Sequence, residues 1–341
     1  MSAEHRDRAA RPRHMSTRRV AARAPSRALA RARDGRRSNV RARASGRASD
    51  ALVVVTGGTS GLGYELARCL RARGCDVIVA ARRLERVDAV ARAIGCDGVA
   101  CDVGSAADVE RLAARAAETA RERGTRTTHW ILAAGAVTKN APLCDVDADE
   151  IVDAVGANLL GPLLCGRAAM RAAREDATKR VVVWNFGFSD WGRNLSRSAA
   201  THKSTKSGLS ALTKVLNAEV KSMSPPIRCE FHQLSPGLAL TPLLLGNGNA
   251  SAVSKKIFNA LAEPPSVIAE ALVDRILDVP EGSTSSVEYL TPADAARRML
   301  EELPRILTGA GGRHFDANGN RVPTSPSARY DDDGVELLPF E

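Results

Sequence analysis

The stretch that decides the fold is LVVVTGGTSGLGYELARCLRARGCDVIVAARR, residues 52–83. Residues 52–58 are a short apolar, β-branched run closed by glycines, the pattern of a buried strand. Residues 62–73 place Leu62, Leu66, Cys69 and Leu70 on one helical face. CDVIVAA, 75–81, is a second buried strand. Between strand and helix stands TGGTSGLG (56–63), where Gly57, Gly61 and Gly63 give T-G-x-x-x-G-x-G spacing. Glycines there let the backbone turn tightly and approach a pyrophosphate. The helix N-terminus adds free N–H groups and the positive end of its dipole. Thr56, Gly57, Ser60, Gly61, Leu62 and Gly63 are therefore the candidate phosphate cradle. A tight turn with no ligand would use the same glycines, so the motif takes its weight from its strand-then-helix context.

The same alternation continues outward. A helix is expected near 84–94, a strand at 98–103, a helix over 105–123 and a strand at 129–135. A helix near 147–173, a strand at 180–186, a helix near 201–221 and a strand at 228–237 follow. Strands alternating with helices of ten or more residues mean an α/β fold: one doubly wound parallel sheet with helices on both faces. Residues 243–310 read as mostly helical, and 311–341, rich in Gly, Pro and Asp, as an irregular tail. No apolar run approaches the ~20 residues of a membrane span.

The charge is confined to one end. Residues 1–50 hold 15 Arg and 4 acids, +11, whereas residues 51–341 hold 34 bases and 35 acids, −1. A nucleic-acid-binding body should carry its own basic face, so nucleic acid is not expected as a partner. Residues 1–50 are rich in Arg, Ala and Ser and lack an apolar segment, which fits an organellar transit peptide, with Met15 as a second possible start. The rival is a basic arm for nucleic acid or anionic lipid. Seven scattered Cys without C-x-x-C suggest buried thiols in a reducing compartment, and no metal site is expected.

The end of the second strand bears on cofactor choice. An acid there would hold the ribose hydroxyls of NAD, but the residues are Arg82 and Arg83. An arginine pairs with the 2′-phosphate of NADP, so NADPH is the expected cofactor, against the bland alternative of solvated arginines. Asp102, ending the third strand, either accepts from the adenine amino group or caps the next helix.

The spacing TGxxxGxG, with HKSTK (202–206) and SPGLALT (235–241), resembles the short-chain dehydrogenase/reductase family over residues 50–245. The resemblance implies a Rossmann-type sheet and a catalytic group of Asn, Ser, Tyr and Lys. Lys206 matches the Lys, Ser189 stands at the required position, and NLLGP (158–162) supplies Asn158. The Tyr position is His202. In the family the Tyr protonates the carbonyl oxygen as hydride arrives. The Lys lowers the Tyr pKa and holds the ribose, the Ser positions the carbonyl, and the Asn carries a water. Three readings of His202 follow: a replacement acid, a hydrogen-bond donor only, or a chain that has lost catalysis. The other tyrosines are Tyr64, Tyr289 and Tyr330. A second departure is LAAG (132–135), where the family has two Asn; Ala134 and Gly135 still allow close approach to a cofactor. Pro236 and Gly237 would turn beside the nicotinamide, and Thr241 would bond its carboxamide.

Segments 234–246, 258–273 and 279–292 resemble one branch of that family, the plastid chlorophyll b reductases without membrane spans. This implies NADPH-dependent reduction of the formyl group of chlorophyll b in the chloroplast stroma, with contact to the thylakoid surface or antenna. Leu243, Leu244, Leu245, Phe258, Leu261 and Trp191 would line an apolar groove; for any one of them, core or interface is the plainer reading. Two alternatives stay open: a short-chain reductase of another apolar carbonyl substrate, or a catalytically impaired subunit in a homo- or hetero-oligomer with a related reductase.

Overall fold

The run at 52–58 forms the centre of the molecule. In the computed structural model it is β1 (Ala51–Thr56), buried throughout, with β2 (Asp76–Ala81) parallel on one side and β4 (Arg126–Leu132) parallel on the other. The structure describes residues 50–189, 191–192, 199–245, 250–283 and 286–323. The expected leader, apart from Asp50, and the tail beyond 323 lie outside the described residues, Tyr330 among them.

The remaining elements are α1 (Gly61–Ala72), α2 (Leu84–Ile94), β3 (Asp97–Ala100), α3 (Ala106–Arg123), α4 (Ala148–Glu175), β5 (Val181–Phe186) and α5 (Ala200–Ser222). Then come β6 (Cys229–Ser235), β7 (Leu238–Ala239), α6 (Pro242–Leu245), α7 (Ala252–Leu261), β8 (Ala262–Glu263), α8 (Pro265–Leu277), β9 (Ser286–Glu288) and α9 (Pro292–Thr308). Seven strands form one parallel sheet in the order β3-β2-β1-β4-β5-β6-β9. The strand order reverses its direction between β1 and β4, so a crevice opens there at the carboxyl ends. The doubly wound α/β fold expected from the sequence is the one observed. β9 was not foreseen, because a triplet with one apolar residue, Val287, is too short for a periodicity to be read. A separate parallel pair, β7 and β8, was not foreseen either.

Burial follows the two faces. Leu62, Leu66 and Leu70 of α1 join Val87 of α2 and Ile268, Leu272 and Ile276 of α8 on one side. Leu112 of α3 and Cys165 and Ala169 of α4 pack on the other. By length and composition α4 does reach a membrane span, contrary to the expectation that no segment would; with Ala154, Cys165, Ala168, Ala169 and Ala173 buried, it sits as a core helix. All seven Cys are free thiols, five of them buried. A third, smaller core joins Leu240, Leu245, Phe258, Ala262 and Phe315.

Residues 311–323 are irregular but held. Asn259 Nδ2 donates to the Phe315 carbonyl (3.0 Å), and its Oδ1 accepts from the His314 and Phe315 amides (2.9 and 2.8 Å). Arg313 reaches the Asn259 and Ala262 carbonyls and Glu263.

Candidate active site

The glycine turn is built by close packing. Gly57 has φ +65°, and a Cβ there would lie 2.6 Å from the Ala134 amide nitrogen. A Cβ on Gly63 would lie 2.3 Å from the Gly57 carbonyl oxygen, and one on Gly61 (φ +50°) 2.9 Å from Thr241 Cγ2. The turn is thus tight against Ala134, and Thr241 faces it. Thr56 is buried, and its hydroxyl accepts from the Ala134 amide (3.4 Å). Ser60 is the N-cap of α1 but makes no side-chain cap, and the first turn holds no acid. The leading amides of α1 are therefore open to an anion, unlike those of α3 and α9, which Ser105 and Thr291 cap. An uncapped, acid-free helix start behind a close-packed glycine turn fits the pyrophosphate of a dinucleotide.

Arg82 and Arg83 stand at the end of β2. Arg82 is 65% exposed and lies 3.4 Å from Asp153 of α4. Such a surface pair is worth at most about 1 kcal/mol, so the guanidinium is readily exchanged to a stronger anion. Arg83 is exposed at the N-cap of α2. Asp102 Oδ1 accepts from the Gly104 amide (2.9 Å). The helix cap expected of Asp102 belongs to Ser105 instead.

Asn158, Ser189 and the pair His202 and Lys206 come from three separate segments. Asn158 lies in a π-helical turn of α4, Gly156–Leu160, and is fully buried. Its Oδ1 accepts from the Ala136 amide (3.0 Å); its Nδ2 donates to the Ala136 carbonyl (2.8 Å) and Thr205 Oγ1 (3.2 Å). The amide side chain thus ties α4 to α5 and to the loop after β4. A Cβ on Gly135 would lie 3.0 Å from Asn158 Oδ1 and 3.7 Å from Lys206 Nζ, which puts these two groups around one glycine. Thr205, Thr201 and Thr138 extend the network; Thr138 and Thr201 hydroxyls are 2.8 Å apart. These threonines carry no sequence signal of their own and were not foreseen.

Ser189 is 4% exposed; its amide donates to Ser235 Oγ (3.1 Å) on β6. Its Oγ accepts from the Gly192 amide (3.2 Å), so its own proton remains to be given. The Phe188 ring meets the His202 ring edge-on at 5.5 Å, which sets His202 beside the Ser189 loop. His202 and Lys206 stand one turn apart on α5. Burial, then the Lys206 charge, push the His202 imidazole down to about 4, although a hydrogen bond to the Ala136 backbone opposes them. Its Nδ1 is buried and has no hydrogen-bond partner. Burial alone pushes Lys206 down to about 8. Near neutral pH the pair is therefore a neutral imidazole beside an ammonium.

Pro236 and Gly237 follow β6; Gly237 has φ +70°, and a Cβ there would meet Leu290 at 2.9 Å. Thr241 Oγ1 donates to the Ala239 carbonyl (3.3 Å). Two expected groove residues are placed otherwise. Leu245 and Phe258 are buried in the third core against Phe315, because the loop 311–323 covers them. Leu243 is exposed, and Trp191 donates to Glu288 (3.3 Å). Tyr64 is buried in α1, and Tyr289 packs on the first core beneath Arg298.

The model of the short chain dehydrogenases matches residues 51–248. The chain belongs to the short-chain dehydrogenase/reductase family. It is accordingly an oxidoreductase of that family, and its crevice is of the kind that takes a nicotinamide dinucleotide. The chloroplastic chlorophyll(ide) b reductase NOL of Arabidopsis thaliana is 30% identical over 265 residues, 76% of this chain and 74% of that one. The probable chlorophyll(ide) b reductase NYC1 of the same plant, also chloroplastic, is 31% identical over 311 residues, 83% of this chain but 58% of that one. Among solved structures, the 3-ketoacyl-(acyl-carrier-protein) reductase from Brucella melitensis complexed with NADH covers 70% of the chain with TM-score 0.60 at 23% identity, a likeness of fold.

Proposed function

We propose that the chain reduces the formyl group of chlorophyll b to hydroxymethyl with NADPH, in the chloroplast. The observation that carries the substrate is the extent of similarity. The match to the chlorophyll(ide) b reductase of Arabidopsis runs over 265 residues, well beyond the 198 residues of the family core. The chloroplastic names of those relatives and the arginine-rich leader together support the compartment.

The chain's own residues divide the work. The open amides of α1 would hold the pyrophosphate, Arg82 and Arg83 the 2′-phosphate, Lys206 the ribose, and the Pro236–Gly237 turn with Thr241 the carboxamide. NADPH, when bound, supplies the hydride. Ser189 gives its free hydroxyl proton as a hydrogen bond to the formyl oxygen and orients it. His202, neutral at working pH, has a single N–H, which its bond to the Ala136 backbone engages, so it reaches the formyl oxygen as a second donor only by giving that bond up. It is a poor acid in that state. Lys206, the ammonium one turn away, supplies the proton that the new hydroxyl keeps, and the resulting amine is reprotonated from solvent.

The test is incubation of the full chain with NADPH and detergent-dispersed chlorophyll b, with pigment products separated by chromatography. Hydroxymethyl pigment formed in step with NADPH consumption supports the reading. Turnover of small aldehydes alone overturns the substrate, and turnover only in His202→Tyr overturns the role given to His202.

A further inference from the structure

We propose that Ser235, the last residue of β6, is a positioning residue that aims the Ser189 hydroxyl at the reacting carbonyl. This rests on the role given above to Ser189 as donor to that carbonyl. Ser189 lies in the loop after β5, three residues past the end of the strand at Phe186. Loops are the more mobile parts of a fold, so a donor carried on one must be fastened from outside. Here the fastening comes from β6. The Gly187 amide donates to the Leu234 carbonyl (3.1 Å), one step beyond the end of β5. Gln233 Nε2 donates to the Phe188 carbonyl (2.5 Å), and the Ser189 amide donates to Ser235 Oγ (3.1 Å). Gln233 and Ser235 are buried alternate residues of one strand, so they point to the same side of the sheet. The backbone of residues 187, 188 and 189 is thus bonded to β6 at three consecutive positions.

Two glycines make room for this arrangement. A Cβ on Gly187 would lie 3.0 Å from Gln233 Cδ, and one on Gly192 2.8 Å from Ser189 Oγ. The Gly192 amide also donates to that oxygen (3.2 Å). Ser189 is therefore held at both ends, its amide by Ser235 and its hydroxyl oxygen by Gly192, and only the hydroxyl proton is left to give. Trp191, between the two, donates to Glu288 of β9 (3.3 Å), the residue beside Ser235 in the sheet register. What distinguishes Ser235 among these groups is its place in the chain. It immediately precedes the Pro236–Gly237 turn, which is given the nicotinamide end of the cofactor. The donor to the carbonyl and the turn beside the hydride source are thus referred to one residue of one buried strand. Reacting atoms must meet at about 3–3.5 Å in alignment, and a misplacement of ~1 Å costs about a hundredfold in rate. Ser235 acts through Ser189: it fixes where the donor stands relative to the hydride and gives no proton itself.

The experiment is a double-mutant cycle on the full chain, read as kcat and as KM for NADPH. Ser235→Ala takes the acceptor from the Ser189 amide and is expected to lower kcat about tenfold, with KM for NADPH within about twofold of wild type. Ser189→Ala removes the donor itself. In that background Ser235→Ala is expected to cost nothing further, because no hydroxyl is left to misplace. A side chain that only supported the fold would lower the rate by the same factor in both backgrounds. Gly192→Ala approaches the same hydroxyl from the other side and leaves β6 intact, which keeps the test available where Ser235→Ala does not fold. Gly192 lies outside the left-handed region, so alanine fits its backbone, and the new Cβ should displace Ser189 Oγ. Its loss of kcat should likewise vanish in the Ser189→Ala background. Equal losses with and without the Ser189 hydroxyl, or a Ser235→Ala variant as fast as wild type, overturn the proposal. A Ser189→Ala variant as fast as wild type refutes the donor and the proposal with it, as does a chain that turns over no carbonyl at all. Should only small aldehydes be reduced, the same cycle run on them decides the role of Ser235 while the pigment reading fails.

Discussion

The pH profile of the reduction tests the division of labour between His202 and Lys206. His202 is held down at about 4 and Lys206 at about 8. If the ammonium must be present, kcat/KM is flat from about pH 5.5 to 7.5 and falls about tenfold per unit above about pH 8. If protonated His202 were the acid, the dependence would be far steeper on the other side. Above a pKa of about 4 its charged fraction drops tenfold per unit, so the rate would fall roughly a hundredfold between pH 5.5 and 7.5. The assay is the initial rate of NADPH oxidation with dispersed pigment across that range. Lys206→Arg keeps a positive charge that does not titrate there, so any remaining rate loses its alkaline limb. His202→Ala lowers the rate and keeps the limb. A profile that climbs steadily toward acid, or a limb near pH 8 that survives Lys206→Arg, would refute the assignment.

Three further outcomes are expected. Arg82→Ala should raise KM for NADPH at least about tenfold and leave KM for NADH in place; thermal stability should hardly move, since its pair with Asp153 is exposed. Asn259→Ala removes three hydrogen bonds to the Phe315 carbonyl and the His314 and Phe315 amides, so thermal unfolding should show a loss of about 1–3 kcal/mol. Burial pushes Glu230 up, but hydrogen bonds from His232, Arg180 and the Gly282 amide outweigh it and hold the carboxyl at about 2. Its folded value lies below the ordinary 4.5, so its stabilisation is present above about pH 4.5 and is lost as pH falls toward 2. Glu230→Gln should flatten that stretch of the stability curve, as read by urea unfolding at stepped pH.

The order of the fold was legible because its signals are local. LVVV before the glycines and Leu62, Leu66 and Leu70 after them report strand and helix by periodicity alone. Asn158, Ser189, His202 and Lys206 could be located by spacing. What spacing could not show is how they are held. The amide of Asn158 is occupied by Ala136 and Thr205, partners 22 and 47 residues away along the chain. The low His202 value depends first on burial, which a sequence does not print. The groove reading for Leu245 and Phe258 failed for a similar reason. Both are apolar and follow the cofactor turn, as groove residues would, but Phe315 lies over them from more than fifty residues on.

That covering loop also braces the elements it crosses. Beyond residue 248, where the family match ends, α7, β8 and the loop to 323 share one small core through Phe258, Ala262 and Phe315. Asn259 and Arg313 fasten the loop to α7 through backbone groups, and Lys255 Nζ adds a bond to the Gly319 carbonyl (2.9 Å). Side-chain bonds to main-chain carbonyls fix position irrespective of what the neighbouring side chains are. α7 is therefore braced by the loop along its length, from Lys255 to Asn259. The same brace turns the polar side of α9 inward, where Arg298 and Arg313 share Glu263. Arg298 and Arg313 thus depend on one carboxylate, and Glu263→Gln, which removes it, should lower the protection of α7 amides from hydrogen exchange.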